Sequence, residues 1–503
     1  MAVAILSVCL VSTAAACTSP TRGGERALDA DLVRTIDEIV ATHMAAGLIP
    51  GAEVAIVDPA KGTYIHAYGV ADTATGRTAQ VRDHFRIGSI TKTFTAAAVL
   101  RLADAGRLRL TDTLEQYVPG VPNGTTITLA DLLGMRGGVW KLDGDTDFGI
   151  QALAHTPDKA WNDGDTLRAL IAHPERAKPP NQQTSYSNSE FYLLGLVLEK
   201  VTGKPVAEVL DSTAQDFALR ETSYTRDTTV PEPHLDGYSF DENTAVDVTD
   251  RVPPSLYGAA GSMVSTISDL AAYGPQLATG TLLKPETFQA RTRFTQLDGG
   301  DIGYGLGIAR MGQWLGHNGA VLGFTDQLGY LPDKHATVAV AIDQFGPGTW
   351  QLLPVDAALL WFDLVDALYP GTGPVPVADP KAVEPPAPTA AELDQELSDT
   401  ARTDPAAGTP TLRIAGDKNG DIRKAWANDN SIQPTRYQIH DVHRLRHGLL
   451  AATGVMSFGS HALPLEIPLV PEDGAWQIVP SWICQFFTAA ADRPAACDAS
   501  PTH

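Results

Sequence analysis

The chemistry-bearing residues of this chain fall into three short groups. Ser89-Ile90-Thr91-Lys92 sets a hydroxyl and an amine three residues apart where an apolar helix begins. Residues at i and i+3 share a helical face, so Lys92 can lie against Ser89. A serine hydroxyl is a weak nucleophile until a nearby base takes its proton, and a neutral lysine amine can do so. Unpaired N–H groups at the helix N-terminus favour negative charge developing there. Tyr186-Ser187-Asn188 then precedes a second helical run. Tyr186 could relay a proton to a leaving group, and Asn188 could hold a substrate amide while contacting Lys92. The same pair also suits plain structure, with Asn188 capping the helix and Tyr186 packing in the core. The third group is Gly316-His317-Asn318-Gly319-Ala320, followed by Gly323-Phe324. Its glycines would let a sheet edge approach a ligand, so that the N–H of Ala320 joins that of Ser89 as an oxyanion hole. The plain alternative is a glycine-rich loop with a surface histidine.

The elements that must position these groups are legible. Thr93 to Ala105 is rich in helix formers and stops at Gly106. Being apolar nearly all round, this helix belongs in an interior, where Lys92 is partly desolvated and its neutral form favoured. Glu190 to Val201 carries apolar residues at Phe191, Leu194, Leu198 and Val201, and Asp31 to Ala46 carries them at Leu32, Ile36, Ile39, Val40 and Met44. Ala52 to Val57 and Tyr64 to Val70 read as strands joined through Lys61-Gly62. Gln327 to Leu331 and Thr337 to Ile342 form another pair around Pro332-Asp333, and Leu352 to Leu368 gives a closing helix. Strands at both ends with helices between predict an α+β domain whose sheet unites its N- and C-terminal parts.

At 503 residues the chain exceeds one ordinary domain. Its 44% hydrophobic and 19% charged composition is that of a globular protein, and a net charge of -22 argues against nucleic acid as a partner. Residues 1–16 are apolar, too short for a membrane span, and read as a signal peptide. Ala14-Ala15-Ala16-Cys17 resembles a bacterial lipoprotein cleavage box with Cys17 as the lipid-bearing residue. Ala14 stands where a larger aliphatic is usual, and no Lys or Arg precedes the run, so an ordinary cut near Ala16 is the alternative. The expectation is an exported protein, lipid-anchored on the outer face of the cell membrane or else secreted. Residues 17–26 form a tether, 27–369 the main domain, 370–390 a Pro/Ala-rich linker, and 391–503 a small α+β domain. In that last unit Ala391 to Thr400 reads as a helix, and Leu449 to Phe458, Leu465 to Leu469 and Trp476 to Val479 as strands. Cys484 and Cys497 read as a disulfide rather than a metal site, since no histidine accompanies them at ligand spacing. The 13 histidines form no metal-ligand pattern, and neither metal nor organic cofactor is expected.

Ser-x-x-Lys, Tyr-x-Asn and His-x-Gly, in that order, resemble the serine β-lactamase and penicillin-binding-protein superfamily. The similar branch is class C-like, peptidase family S12, with its D-Ala-D-Ala carboxypeptidases and esterases. Supporting phrases include Phe85 to Leu102, Gly258 to Thr266, Tyr304-Gly305-Leu306-Gly307 and Gly316 to Phe324. The resemblance implies an antiparallel sheet with helices on both faces plus an all-helical subdomain. It implies Ser89 as acylated nucleophile, Lys92 as base, Tyr186 as proton relay, Asn188 as a contact to substrate and Lys92, and His317, Gly319 and Ala320 as the substrate-binding third box. The small C-terminal unit, from Ala475-Trp476-Gln477 to Cys484, looks like the end of NTF2-like domains.

Where this chain departs from the family, specificity is what changes. Many relatives carry Lys-Thr-Gly where His317 begins the third box, and a histidine is largely neutral above its usual pKa near 6.5. Gly134 to Gly138 (Gly-Met-Arg-Gly-Gly) stands where Thr-His-Thr-Ser-Gly is usual, and Pro180-Asn181 where Pro-Gly is common. The expected function is an exported serine hydrolase acting through an acyl-enzyme on an ester or peptide substrate at the cell envelope. The alternatives are an efficient β-lactamase and a catalytically weak envelope binding protein on the same fold.

Overall fold

The computed structural model describes residues 26–47, 49–142, 164–241, 244–297, 302–345, 357–373, 385–402, 413–415, 417, 420–428, 435–444, 450–458 and 461–479. The signal segment, Cys17, most of the linker, Cys484 and Cys497 lie outside them, as do residues 352–356 of the closing helix.

Nine antiparallel strands form the main sheet. In spatial order they are Arg77–Thr78, Gly62–Asp72, Gly51–Asp58, Ala336–Ile342, Phe324–Leu331, Trp314–Val321, Ala309–Met311, Gly303–Tyr304 and Thr295–Gln296. The first and last parts of the domain meet at its centre, where Ala52 pairs with Ile342 and Val57 with Thr337. Central strands of such a sheet are covered on both sides, so they read as near-continuous apolar runs. Ala336–Ile342 (ATVAVAI) is buried at every position.

Each face takes a different set of helices. Val54, Ile56, Val338 and Val340 pack against Ala30–Gly47, through Ile36 and Val40, and against Ala357–Leu368, through Leu360, Trp361 and Leu364. On the opposite face Ala55, Leu328, Ala339 and Ala341 meet Ile267–Thr279 through Leu270, Tyr273 and Leu277. Phe94, Leu132, Leu194, Leu198 and Leu210 continue this second core into a cluster of helices between the strands. The expected architecture is present.

A separate four-stranded antiparallel meander, Thr435–Arg444, Leu450–Phe458, His461–Glu472 and Ala475–Ile478, closes the chain. Tyr437, Ile439, Leu450, Met456, Ile467 and Ile478 are buried there with Leu393 and Leu397 of the helix Ala390–Arg402 and Ile422 of Asp421–Asn428.

Candidate active site

Ser89 sits in a single 3-10 turn, Gly88–Ile90, that leads directly into the helix Thr91–Asp104. The turn is fixed from behind. Phe85–Arg86 pairs with Met263–Ser265, and the N–H of Ile87 donates to the Met263 carbonyl at 3.0 Å. Three threonines on the buried helix all find polar partners. Thr91 Oγ1 accepts the Met263 N–H at 3.2 Å, Thr93 Oγ1 accepts the Tyr273 hydroxyl at 2.9 Å, and Thr95 Oγ1 donates to the Ala259 carbonyl at 2.7 Å. Arg291, also buried, donates to the carbonyls of Thr93 and Gly307 at 3.1 Å each. A helix tied down so often holds Ser89 where it must be.

Lys92 is fully buried, whereas Ser89, Tyr186 and Asn188 remain half-exposed and line the opening. Its Nζ lies 2.8 Å from Ser89 Oγ and donates to the Ala260 carbonyl at 2.8 Å and to Asn188 Oδ1. Two of these three partners can only accept. A neutral amine has two hydrogens, which those acceptors take, leaving its lone pair for the Ser89 hydroxyl. The arrangement therefore suits a general base. The face of Tyr186 stands 4.8 Å from Nζ.

Asn188 is the first residue of the helix Asn188–Thr202, with Ser187 in the capping position. Its side chain is therefore available to Lys92 instead of closing the helix.

The third box lies on the strand Trp314–Val321. Its pairing with Ala309–Met311 ends at Gly316, so His317 to Val321 form an edge on the cleft side. That edge runs against the Ser89 turn, and two glycines permit the contact. Gly88 has φ +43°, and a Cβ there would stand 2.6 Å from the Ala320 nitrogen; a Cβ on Gly319 would stand 2.3 Å from the Ile87 carbonyl oxygen. The N–H groups of Ser89 and Ala320 are thereby placed on adjoining segments, as an oxyanion hole requires.

His317 is only 1% exposed, behind Tyr186 rather than in the open cleft. Its Nδ1 lies 2.6 Å from the Asn318 carbonyl and its Nε2 3.0 Å from the Tyr304 hydroxyl. Nδ1–H therefore donates to the carbonyl, and Nε2 accepts from the tyrosine. Burial pushes its pKa down to about 3, so the ring is neutral at working pH. Its reach is through Tyr304 and Tyr186, whose rings pack edge-to-face at 6.1 Å.

Sequence reasoning assigned no role to Gly88, Ala260, Tyr304 or Glu190. Three of them lie within phrases that carried the family resemblance, which was the only available signal. Glu190 is buried one turn into the Asn188 helix and accepts the Gly137 N–H at 3.2 Å. Among the described residues no three His, Cys, Asp or Glu side chains are grouped to hold a metal.

A nucleophile, a buried amine, a tyrosine and two facing backbone amides, on an antiparallel sheet flanked by helices, define the serine acyl-transfer class of this fold. The family model described as Beta-lactamase matches residues 36–359, and the chain belongs to that family. Protein flp of Staphylococcus aureus (strain N315) is 29% identical over 222 residues, which is 43% of this chain and 43% of that protein. The chain thus matches less than half the length of that curated relative. A D-stereospecific amidohydrolase from Streptomyces sp. superposes with a TM-score of 0.58 at 26% identity, over 68% of this chain and 99% of that one. The octameric penicillin-binding protein homologue from Pyrococcus abyssi, 19% identical, shares the fold over 89% of this chain and 95% of its own, with a TM-score of 0.57.

Proposed function

We propose that this protein is an exported serine hydrolase that forms an acyl-enzyme on Ser89 with ester or peptide-like amide substrates. The observation that carries the reading is Lys92 Nζ, buried and 2.8 Å from Ser89 Oγ, with its other bonds taken by Asn188 and the Ala260 carbonyl. Lys92 takes the Ser89 proton as Oγ attacks the carbonyl carbon, and the N–H groups of Ser89 and Ala320 receive the oxyanion. The C–N or C–O bond breaks as a proton returns to the leaving amine or alcohol through Lys92 or Tyr186. Water then attacks the ester, delivers its proton to the same base, and frees Ser89.

Two features narrow the substrate. The Streptomyces relative is D-stereospecific, which favours amides or peptides with a D-residue at the scissile bond. The neutral His317 supplies no fixed cation for a β-lactam carboxylate, so rapid β-lactam turnover is disfavoured. Export rests on the composition of residues 1–16, with Cys17 as the lipid attachment point. Incubation with a chromogenic short-chain ester, a D-amino acid amide and a fluorescent penicillin tests the reading. Ester or D-amide turnover, with label on Ser89 that Ser89→Ala abolishes, supports it. Fast penicillin turnover would rank the β-lactamase first, and no acylation by any reagent would leave a binding protein.

A further inference from the structure

The segment Gly134 to Val139 replaces the usual histidine-bearing loop of the family, yet it is firmly held. The Ser185 N–H donates to the Met135 carbonyl at 2.8 Å, the Asn181 N–H to the Arg136 carbonyl at 2.8 Å, and the Lys178 N–H to the Gly138 carbonyl at 2.8 Å. Those bonds fasten the loop to the strand-like approach to Tyr186. A different one fastens it to the helix Asn188–Thr202. Glu190, 1% exposed, points back from the first turn of Asn188–Thr202, and its Oε2 accepts the Gly137 N–H at 3.2 Å. A Cβ on Gly137 would stand 2.9 Å from Leu132 Cδ2 and 3.1 Å from Oε1, so a larger residue would push the carboxyl aside. One turn of helix therefore carries both Asn188, bonded to Lys92, and the carboxyl that grips the loop.

We propose that Glu190 is a positioning residue that locks the Gly134–Val139 loop to the Asn188 turn, so that the cleft wall and the Lys92–Asn188 bond are held as one unit. The proposal rests on Ser89 and Lys92 being the catalytic pair. A loose turn would let Asn188 leave Lys92, freeing the amine to point away from Ser89. Charged and titratable neighbours are few: Asp131, which stands 3.9 Å from Arg136, on the loop side, Tyr304 on the sheet side, and Lys92 beyond Asn188. Burial pushes the carboxyl up to about 8, while the N–H groups of Gly137, Val139 and Gly138 hold it down. An acid raised in the fold contributes stability that is complete below its ordinary value of 4.5 and is lost as pH rises from there through about 8.

Glu190→Ala and Glu190→Gln in the full-length protein separate the outcomes. Small displacements around reacting groups cost about 10²-fold in rate. Glu190→Ala is expected to lose about that much in ester kcat with KM nearly unchanged. Glu190→Gln, which keeps one acceptor for Gly137, is expected to recover most of it at pH 7. Between about pH 5 and 8 the thermal midpoint of the native protein should fall relative to that of Glu190→Gln, with no further relative change above about 8. Native kcat in Glu190→Ala, or parallel thermal profiles in the native and Gln proteins, overturns the proposal. Should Glu190→Ala not fold, Gly137→Ala displaces the same contact and must show the same kcat loss. A native protein that acylates with nothing refutes the catalytic reading itself, while the thermal comparison still reports whether the Glu190 carboxyl titrates as the lock requires.

Discussion

Lys92 and His317 are both buried bases beside the same tyrosine, and they are used in opposite ways. Lys92 keeps a contact with the exposed nucleophile, so replacing it by alanine should lower the acylation rate of Ser89 by about 10²–10⁴-fold, read by stopped-flow with a chromogenic ester. An undiminished rate would remove it as base. His317 has spent both ring nitrogens on Asn318 and Tyr304. With its folded pKa depressed to about 3, the unfolded chain binds the extra proton first. Its contribution to stability is therefore complete above about 6.5 and is lost as pH falls toward 3. His317→Gln should flatten the acid side of a thermal-midpoint profile between pH 4 and 6.5. An unchanged acid slope would show that the ring is not the group responsible.

At the scale of elements, the site is made by one strand edge meeting one turn, and glycine decides the meeting. Gly88→Ala would force a side chain into a left-handed conformation, costing roughly 1–2 kcal/mol, and drive its Cβ into the Ala320 backbone. The expected result is a loss of about 10²–10³ in kcat, comparable to removing an oxyanion donor, alongside a lower thermal midpoint. Acylation at the native rate would place the oxyanion elsewhere. This contact shows what the sequence could and could not reveal. Ser89, Lys92, Tyr186 and Asn188 announced themselves by side-chain chemistry in a fixed order. The Ala260 carbonyl could not, because any residue offers a carbonyl and its arrival beside Lys92 depends on packing 168 positions away. Helices and strands with a steady period were readable to within a few residues. Thr435–Arg444 was not, since Tyr437 and Ile439 face inward and a register shift between Ile439 and Asp441 then breaks the alternation. The third-box histidine read as a possible surface group, and only the surrounding Tyr304 and Tyr186 rings bury it.

The whole molecule carries an unusual load of acid inside its sheet. Glu53, Asp326 and Asp343 are each at most 1% exposed, the first two on the strands either side of Ala336–Ile342 and the third just past that strand's end, and burial holds all three well above the ordinary carboxylate range. Asp326 finds no hydrogen-bond partner for either oxygen among the described residues, while Asp343 accepts the Gly51 N–H at 2.7 Å. Raised acids stabilise the fold while protonated and withdraw that contribution as pH rises through their folded values. Stability should consequently decline as pH rises above about 4, and Asp326→Asn or Glu53→Gln should make that decline shallower in denaturant titrations from pH 4 to 9. A decline no shallower in either variant would mean that these carboxyls are not its source.

The bond between Gly51 and Asp343 joins positions 292 apart, at the centre of the sheet. A ribosome adding about 5–20 residues per second needs roughly 15–60 s to travel that distance. Through that interval the strand Gly51–Asp58 has only Gly62–Asp72 beside it, and its other edge, which pairs with Ala336–Ile342 in the finished sheet, stays open.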